Sequence, residues 1–273
     1  KYLQDTFSKF DNINLEIIKF VKSNLYKSSR LRTILEDQSA GIYLIDKPKG
    51  VNSFRAVSVL RKVLNTKRVG FSGTLDPLAS GLLIVANGKA TRLLDWFHDL
   101  PKIYQADVLF GQDSDTYDME GKTVVNKQAK AFDKKELEET LNNFLGKQNQ
   151  VAPIYSAKKV AGQKLYKLAR AGKPVKAPSK EIEIHELKIN KFKYPNLNLL
   201  VSASAGTYIR SLAHDLGQTM ETGAVLSDLK RIAIGDFMVK NALALEEVDK
   251  ASLAKNKLAV QEVIDIINEH LAQ

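Results

Sequence analysis

The chain has 273 residues, 44% hydrophobic and 26% charged, with a formal net charge of +10; this is the profile of a globular protein with room for one large domain or two small ones. It has no cysteine, which excludes disulfides, thiol catalysis and thiolate metal sites, and its four histidines (His98, His185, His214, His270) show no ligand spacing, so no metal is expected. No apolar run approaches the ~20 residues of a membrane span, and the N-terminus lacks the pattern of a secretory signal, so a cytoplasmic protein with no membrane association is expected.

In chain order, residues 1–40 read as a helical N-terminal extension. Ile13, Ile17, Phe20, Val21 and Leu25 recur at helical spacing, and Leu31, Ile34 and Leu35 form a second short stripe. Gly41–Asp46 is a short apolar strand closed by the turn residues Asp46-Lys-Pro-Lys-Gly50. Ser53 is placed to cap a helix running to about Leu64, with Phe54, Val57, Leu60 and Val63 on one face. A Gly-rich loop over residues 70–81 leads into a strand at Leu82–Ala86, a helix over Lys89–Phe97 and an alternating strand at Tyr104–Phe110. Asp133 and Glu136 have capping-box spacing ahead of a helix through Leu137, Leu141, Phe144 and Leu145, stopped by Gly146. A basic excursion, 147–180, carries a helix near Gln163–Arg170. Strands follow at Glu181–Phe192 and Leu197–Ala203, then a helix from Thr207 to about Met220, a short strand, and a helix toward the C-terminus. Strands and helices interleave without a βαβ rhythm, which predicts an α+β fold with a mixed sheet.

The charge is one-sided in two places. Lys47–Leu75 holds seven basic residues and Val151–Lys180 eight, and neither contains an Asp or Glu. Such stretches suit a polyanion, of which the nucleic-acid phosphate backbone is the commonest. Asp76 is the only acidic residue between Asp46 and Asp95. A carboxylate among cations stays ionised, so it is poorly suited to holding an anion and well suited to serving as a nucleophile or base. No Gly-Lys-Ser/Thr follows the glycines of this loop, so it is not a P-loop.

The stretch Gly73-Thr-Leu-Asp-Pro-Leu-Ala-Ser-Gly-Leu-Leu-Ile-Val-Ala-Asn-Gly-Lys-Ala-Thr-Arg-Leu93 closely resembles the catalytic motif of the TruB family of tRNA pseudouridine synthases. Supporting matches run in the family's order from Gly41 to about Phe237. They include Asp46–Gly50, Lys102-Ile-Tyr104, Gly111–Thr116, Pro153–Ala157, Gly162 with Leu165-Tyr166, Ala169–Gly172, Gly206–Gly217 and Leu229–Arg231. The resemblance implies the pseudouridine synthase fold, a mixed and largely antiparallel central sheet with flanking helices. It implies a catalytic domain over 41–240 with a basic RNA-binding insertion at about 147–180, and a short helical tail over 241–273 in place of a full C-terminal RNA-binding domain.

The resemblance also implies chemistry. Asp76 matches the aspartate that attacks the flipped-out uridine or its ribose, or removes a ribose proton; these routes stay open. Tyr104 matches the tyrosine that stacks on the target base, Arg210 the arginine paired with the aspartate, and Tyr208 a residue lining the same pocket. Lys47, Lys158, Lys159, Lys164 and Arg170 are candidate RNA contacts. Isomerisation neither gains nor loses atoms, so no cofactor is expected. The implied partner is tRNA, at the uridine in position 55 of the T arm, bound by a monomer.

The sequence departs from the family at Gly70-Phe-Ser-Gly73, where relatives carry Gly-His-Thr-Gly; Phe71 offers a stacking ring without the histidine's hydrogen bonds. Two alternatives stand beside the main reading. One is a relative acting on ribosomal RNA, against which the Leu78-Ala-Ser-Gly81 continuation speaks. The other is a non-catalytic tRNA-binding chaperone, against which the joint presence of Asp76, Tyr104 and Arg210 speaks.

Overall fold

The computed structural model describes residues 29–156, 158–160, 162–171 and 177–270. Most of the extension expected over residues 1–40 lies outside them; its described part, residues 29–40, opens with helix α1 (Ser29–Leu35). Strand β1 (Gly41–Lys47), helix α2 (Ser53–Val63) and strands β2 (Val69–Ser72) and β3 (Ala79–Asn87) follow. A 3-10 helix (Gly88–Leu93) and the short α3 (Trp96–Asp99) stand where one helix over Lys89–Phe97 was expected.

Next come β4 (Lys102–Phe110), β5 (Gln112–Ser114), β6 (Thr123–Val125) and α4 (Lys134–Asn142), whose N-cap Asp133 accepts from the Glu136 N–H. Beyond Gly146, at φ 84°, the chain forms β7 (Gly146–Val151), a small hairpin of β8 (Lys159–Val160) and β9 (Gln163–Lys164), and α5 (Leu165–Arg170). The remaining elements are β10 (Ser179–Lys193), β11 (Asn196–Ala203), α6 (Ile209–Thr219), β12 (Ala224–Ile234), β13 (Phe237–Met238), β14 (Leu243–Ala244), α7 (Lys250–Lys255) and α8 (Val260–His270).

The fold is α+β with a mixed, largely antiparallel sheet and flanking helices, as expected. The described residues form two compact units, those within 29–77, 81–99 and 233–270 in one and those within 78–80 and 100–232 in the other. In the first unit β1 runs antiparallel to β3 (Ile45 opposite Leu83) and parallel to β14 (Ile45 opposite Leu243), and β2 pairs with β3. Ala56, Val57 and Leu60 of α2 pack with Tyr43 and Ile45 of β1, Val69 of β2 and Leu83 and Val85 of β3. Spacings of one, three and four residues give α2 a single buried face, while two-residue spacing aims alternate strand residues at it.

In the second unit the strand order is β12-β4-β11-β10-β7, with β4–β11, β11–β10 and β10–β7 antiparallel. Helix α6 packs against β4. Among the described residues, no helix is long and apolar enough to cross a membrane.

Candidate active site

Asp76 lies in the first unit, and Tyr104, Tyr208 and Arg210 lie in the second. Asp76 is half-buried in the loop between β2 and β3, which begins at Gly73 (φ 70°) and is followed, just inside β3, by Gly81 (φ 102°). A side chain is disfavoured in that left-handed region, so these glycines set the path of the loop. Both neighbours of Asp76 are tethered. The buried Ser53 Oγ donates to the Leu75 carbonyl and accepts from the Leu75 N–H, each at 2.9 Å, and the Gly50 N–H donates to the Pro77 carbonyl at 2.7 Å.

Two sequence expectations change here. The cap of α2 is Asn52, whose side chain accepts from the Arg55 N–H, and Ser53 is the first helical residue. Its hydroxyl is therefore directed to the catalytic-motif loop. Lys47, expected to reach RNA, is fully buried, and its ammonium donates to the Pro48 carbonyl (2.9 Å) and the Val51 carbonyl. It braces the 48–51 turn and presents no charge to a phosphate. Phe71 is half-buried against the core of the first unit, with its ring edge-on to that of Phe54.

Arg210 projects from the first turn of α6 and is buried. Its Nη1 lies 3.3 Å from Asp118 Oδ2 and donates to the Thr116 carbonyl at 2.9 Å, while Nη2 donates to the Tyr155 carbonyl at 3.1 Å. One and two turns along the same helix face, the His214 ring stacks on Tyr117 at 3.9 Å and Gln218 donates to Asp113. Residues 210, 214 and 218 thus read the 113–118 segment as one surface. Tyr208, the half-buried N-cap of α6, is held by Gln150, whose Oε1 accepts from the Tyr208 N–H (2.8 Å) and whose Nε2 donates to the Tyr208 carbonyl (3.0 Å).

Tyr104, buried on β4, is hydrogen-bonded by the guanidinium of the fully buried Arg231. Burial lowers the pKa of Arg231, an effect opposed by the Tyr104 hydroxyl beside it. Asp118, Gln150, the Ser53 tether to Leu75 and the Tyr104 contact of Arg231 were not assigned from sequence; Arg231 had appeared only as the end of a matching segment. Lys158 is exposed, while the side chains of Lys159, Lys164 and Arg170 lie outside the described ones.

The arrangement supplies a tethered, half-buried carboxylate in one unit, and in the other an ordered guanidinium and a tyrosine with a fixed hydroxyl. Residues 61–209 match the family model of the TruB family pseudouridylate synthase N-terminal domain. Residues 210–271 match that of the tRNA pseudouridylate synthase B C-terminal domain. This boundary falls within the stretch read from sequence as one catalytic domain. The chain is 38% identical over 224 residues to tRNA pseudouridine synthase B of Clostridium kluyveri, covering 82% of this chain and 77% of that protein. It is 42% identical over 200 residues to its counterpart in Fusobacterium nucleatum, covering 73% and 69%.

Among solved structures, an H/ACA RNP bound to a substrate RNA containing 2'-deoxyuridine superposes with a TM-score of 0.62 at 22% identity over 83% of this chain. A Cbf5-Nop10-Gar1 complex gives 0.62 at 23% over 90%. This chain spans 61% and 62% of those two chains, which share its fold. From these matches, the chain belongs to the TruB family of pseudouridine synthases, enzymes that isomerise uridine within RNA.

Proposed function

We propose that this protein converts a uridine of tRNA to pseudouridine, at position 55 in the T arm, with Asp76 as the catalytic carboxylate. The tethering of both neighbours of Asp76, Leu75 by Ser53 and Pro77 by Gly50, is the observation that carries the assignment. A carboxylate that acts on a base or its sugar must be held in place before the substrate arrives. In this reading the N-glycosidic bond breaks, the uracil turns while held, and a C–C bond forms to the same ribose, so atoms balance without a cofactor. Tyr104 offers the face that holds a base out of its stack, with its hydroxyl fixed by Arg231. Arg210 is the guanidinium that the resemblance assigns to the reaction, held in place by Asp118 and two carbonyls. The basic segment around Lys158, Lys159, Lys164 and Arg170 contacts the phosphates, and the protein acts as a monomer.

The test is pseudouridine formation on an unmodified tRNA transcript, with the product position mapped and Asp76→Ala run alongside. Product at the T-arm uridine from the wild type, and none from a variant that still binds, is the expected result. Binding without product from either protein would overturn the reading in favour of a chaperone, and product elsewhere would overturn the target.

A further inference from the structure

Phe54 is 57% exposed, although it belongs to the helix that packs the core of the first unit. Two neighbours fix its ring. Phe71 of β2 meets it edge-on, with centroids 6.4 Å apart and planes at 87°. The Arg61 guanidinium sits 5.7 Å from its centroid and is held by a 3.3 Å hydrogen bond to the Val69 carbonyl. Both braces involve β2, the strand that runs directly into the loop of Asp76. Phe54 and Arg61 are seven residues apart, two helical turns, and share the outer face of α2 with Ser58. Exposed Arg55 and Lys62 lie on one flank of this face, and exposed Lys67 and Arg68 follow the helix, in a stretch with no acidic residue.

We propose that Phe54 and Arg61 form a stacking site for an unpaired RNA base next to the catalytic loop, with Arg55 and Lys62 on the flanking phosphates. A solvent-exposed aromatic ring joined to a guanidinium, in a basic stretch of chain without acidic residues, is the chemistry of sequence-tolerant nucleotide binding. Neither an acyl chain nor a protein groove calls for a guanidinium against one exposed ring with further cations along its flank. Because neighbouring residues hold the ring, little side-chain freedom is lost when a base lands on it. Phe71, which the sequence suggested as the stacking residue, supports the ring that does the stacking. The site rests on the proposed RNA substrate and adds to it a contact outside the catalytic residues.

The test compares wild type, Phe54→Ala and Phe54→Trp for affinity toward a T-arm hairpin across a salt series. Urea melts of each variant separate a folding defect from a binding one. Phe54→Ala is expected to bind roughly tenfold more weakly with an unchanged salt slope, because no phosphate contact is lost. Phe54→Trp is expected to restore affinity and to show fluorescence quenching on RNA binding beyond that of Trp96, the only natural tryptophan. Unchanged affinity for Phe54→Ala and an unquenched tryptophan at 54 overturn the site, whatever the activity on tRNA. Phe54-dependent, quenching binding by a protein that forms no pseudouridine supports the site and overturns the proposed function instead.

Discussion

Arg210 and Asp118 form an ion pair with side chains 6% and 2% exposed and a closest approach of 3.3 Å. Asp118 also accepts from the Thr116 hydroxyl and the Glu120 N–H, and Arg210 from its side reaches two carbonyls. Such a pair is worth little against apolar replacements, but breaking it leaves one charge buried alone. Asp118→Asn should therefore lower unfolding free energy by about 3 kcal/mol, read as a drop in the urea midpoint. Pseudouridine formation should fall even well below that midpoint, because Arg210 loses its fixed position. A stable variant of full activity would show that Arg210 is oriented by the two carbonyls alone.

Ser53→Ala removes both hydrogen bonds to Leu75 and leaves a buried N–H and C=O unpaired. The expected cost is about 1–3 kcal/mol. Since the tether acts next to Asp76 and not on the RNA surface, kcat should fall more than KM rises, which steady-state kinetics on a transcript would measure.

Gln150→Leu keeps the bulk of the side chain but leaves the Tyr208 N–H without its acceptor at the start of α6, while the Tyr208 carbonyl keeps the Leu212 N–H. Destabilisation of about 1–3 kcal/mol is expected. Amide exchange at Tyr208 should quicken by more than exchange at the far end of the helix.

Gly217 approaches β12 so closely that a Cβ would overlap the Ala224 backbone nitrogen and the Gly223 carbonyl carbon. Neither atom can rotate away, so Gly217→Ala should cost about 3 kcal/mol despite the better helix propensity of alanine. Thermal melting would expose an error in this expectation as an unchanged or higher Tm.

Burial raises the pKa of Asp215, and the nearby His214 opposes the shift. The folded value lies above the unfolded one of about 3.9, so the folded state binds the proton more tightly. Stability is then lost as pH rises from below the unfolded pKa through the folded one, and stays lost at neutral pH. Asp215→Asn, which does not titrate, should gain on the wild type in urea melts as pH is raised from 4 to 7. A gap that is constant with pH would contradict this.

The periodic elements were legible in the sequence because burial writes itself at fixed spacing. The β1 strand, the helix from Ser53, the α4 helix behind Asp133 and the α6 helix all lie within a few residues of expectation. Strand β7, Gly-Lys-Gln-Asn-Gln-Val, was absorbed into the basic excursion because only Gln150 in it is buried. Strand β2 was hidden by Gly70 within it and Gly73 just after it. Asp76, Tyr104, Arg210 and Tyr208 were singled out because they sit in long local motifs. Gln150 and Asp118 were not, because what they do depends on partners 58 and about 90 residues away, and no local spacing records that. Lys47 was misread for the complementary reason: a lysine in a basic stretch looks solvated until burial is known.

The pairing of α6 with the 113–118 segment also sets an order of events at the ribosome. Thr116, which Arg210 grips through its carbonyl, is made 94 residues earlier, and at synthesis rates of roughly 5–20 residues per second that is a wait of about 5–20 s. During the wait Asp118 has no guanidinium to neutralise it, and enclosing a lone carboxylate is strongly unfavourable. The 113–118 segment must stay hydrated until Arg210 emerges, so the second unit closes late in translation and as a single event. A nascent chain halted before residue 210 would be cleaved by proteases at this segment, and β4 would still lack its β12 neighbour.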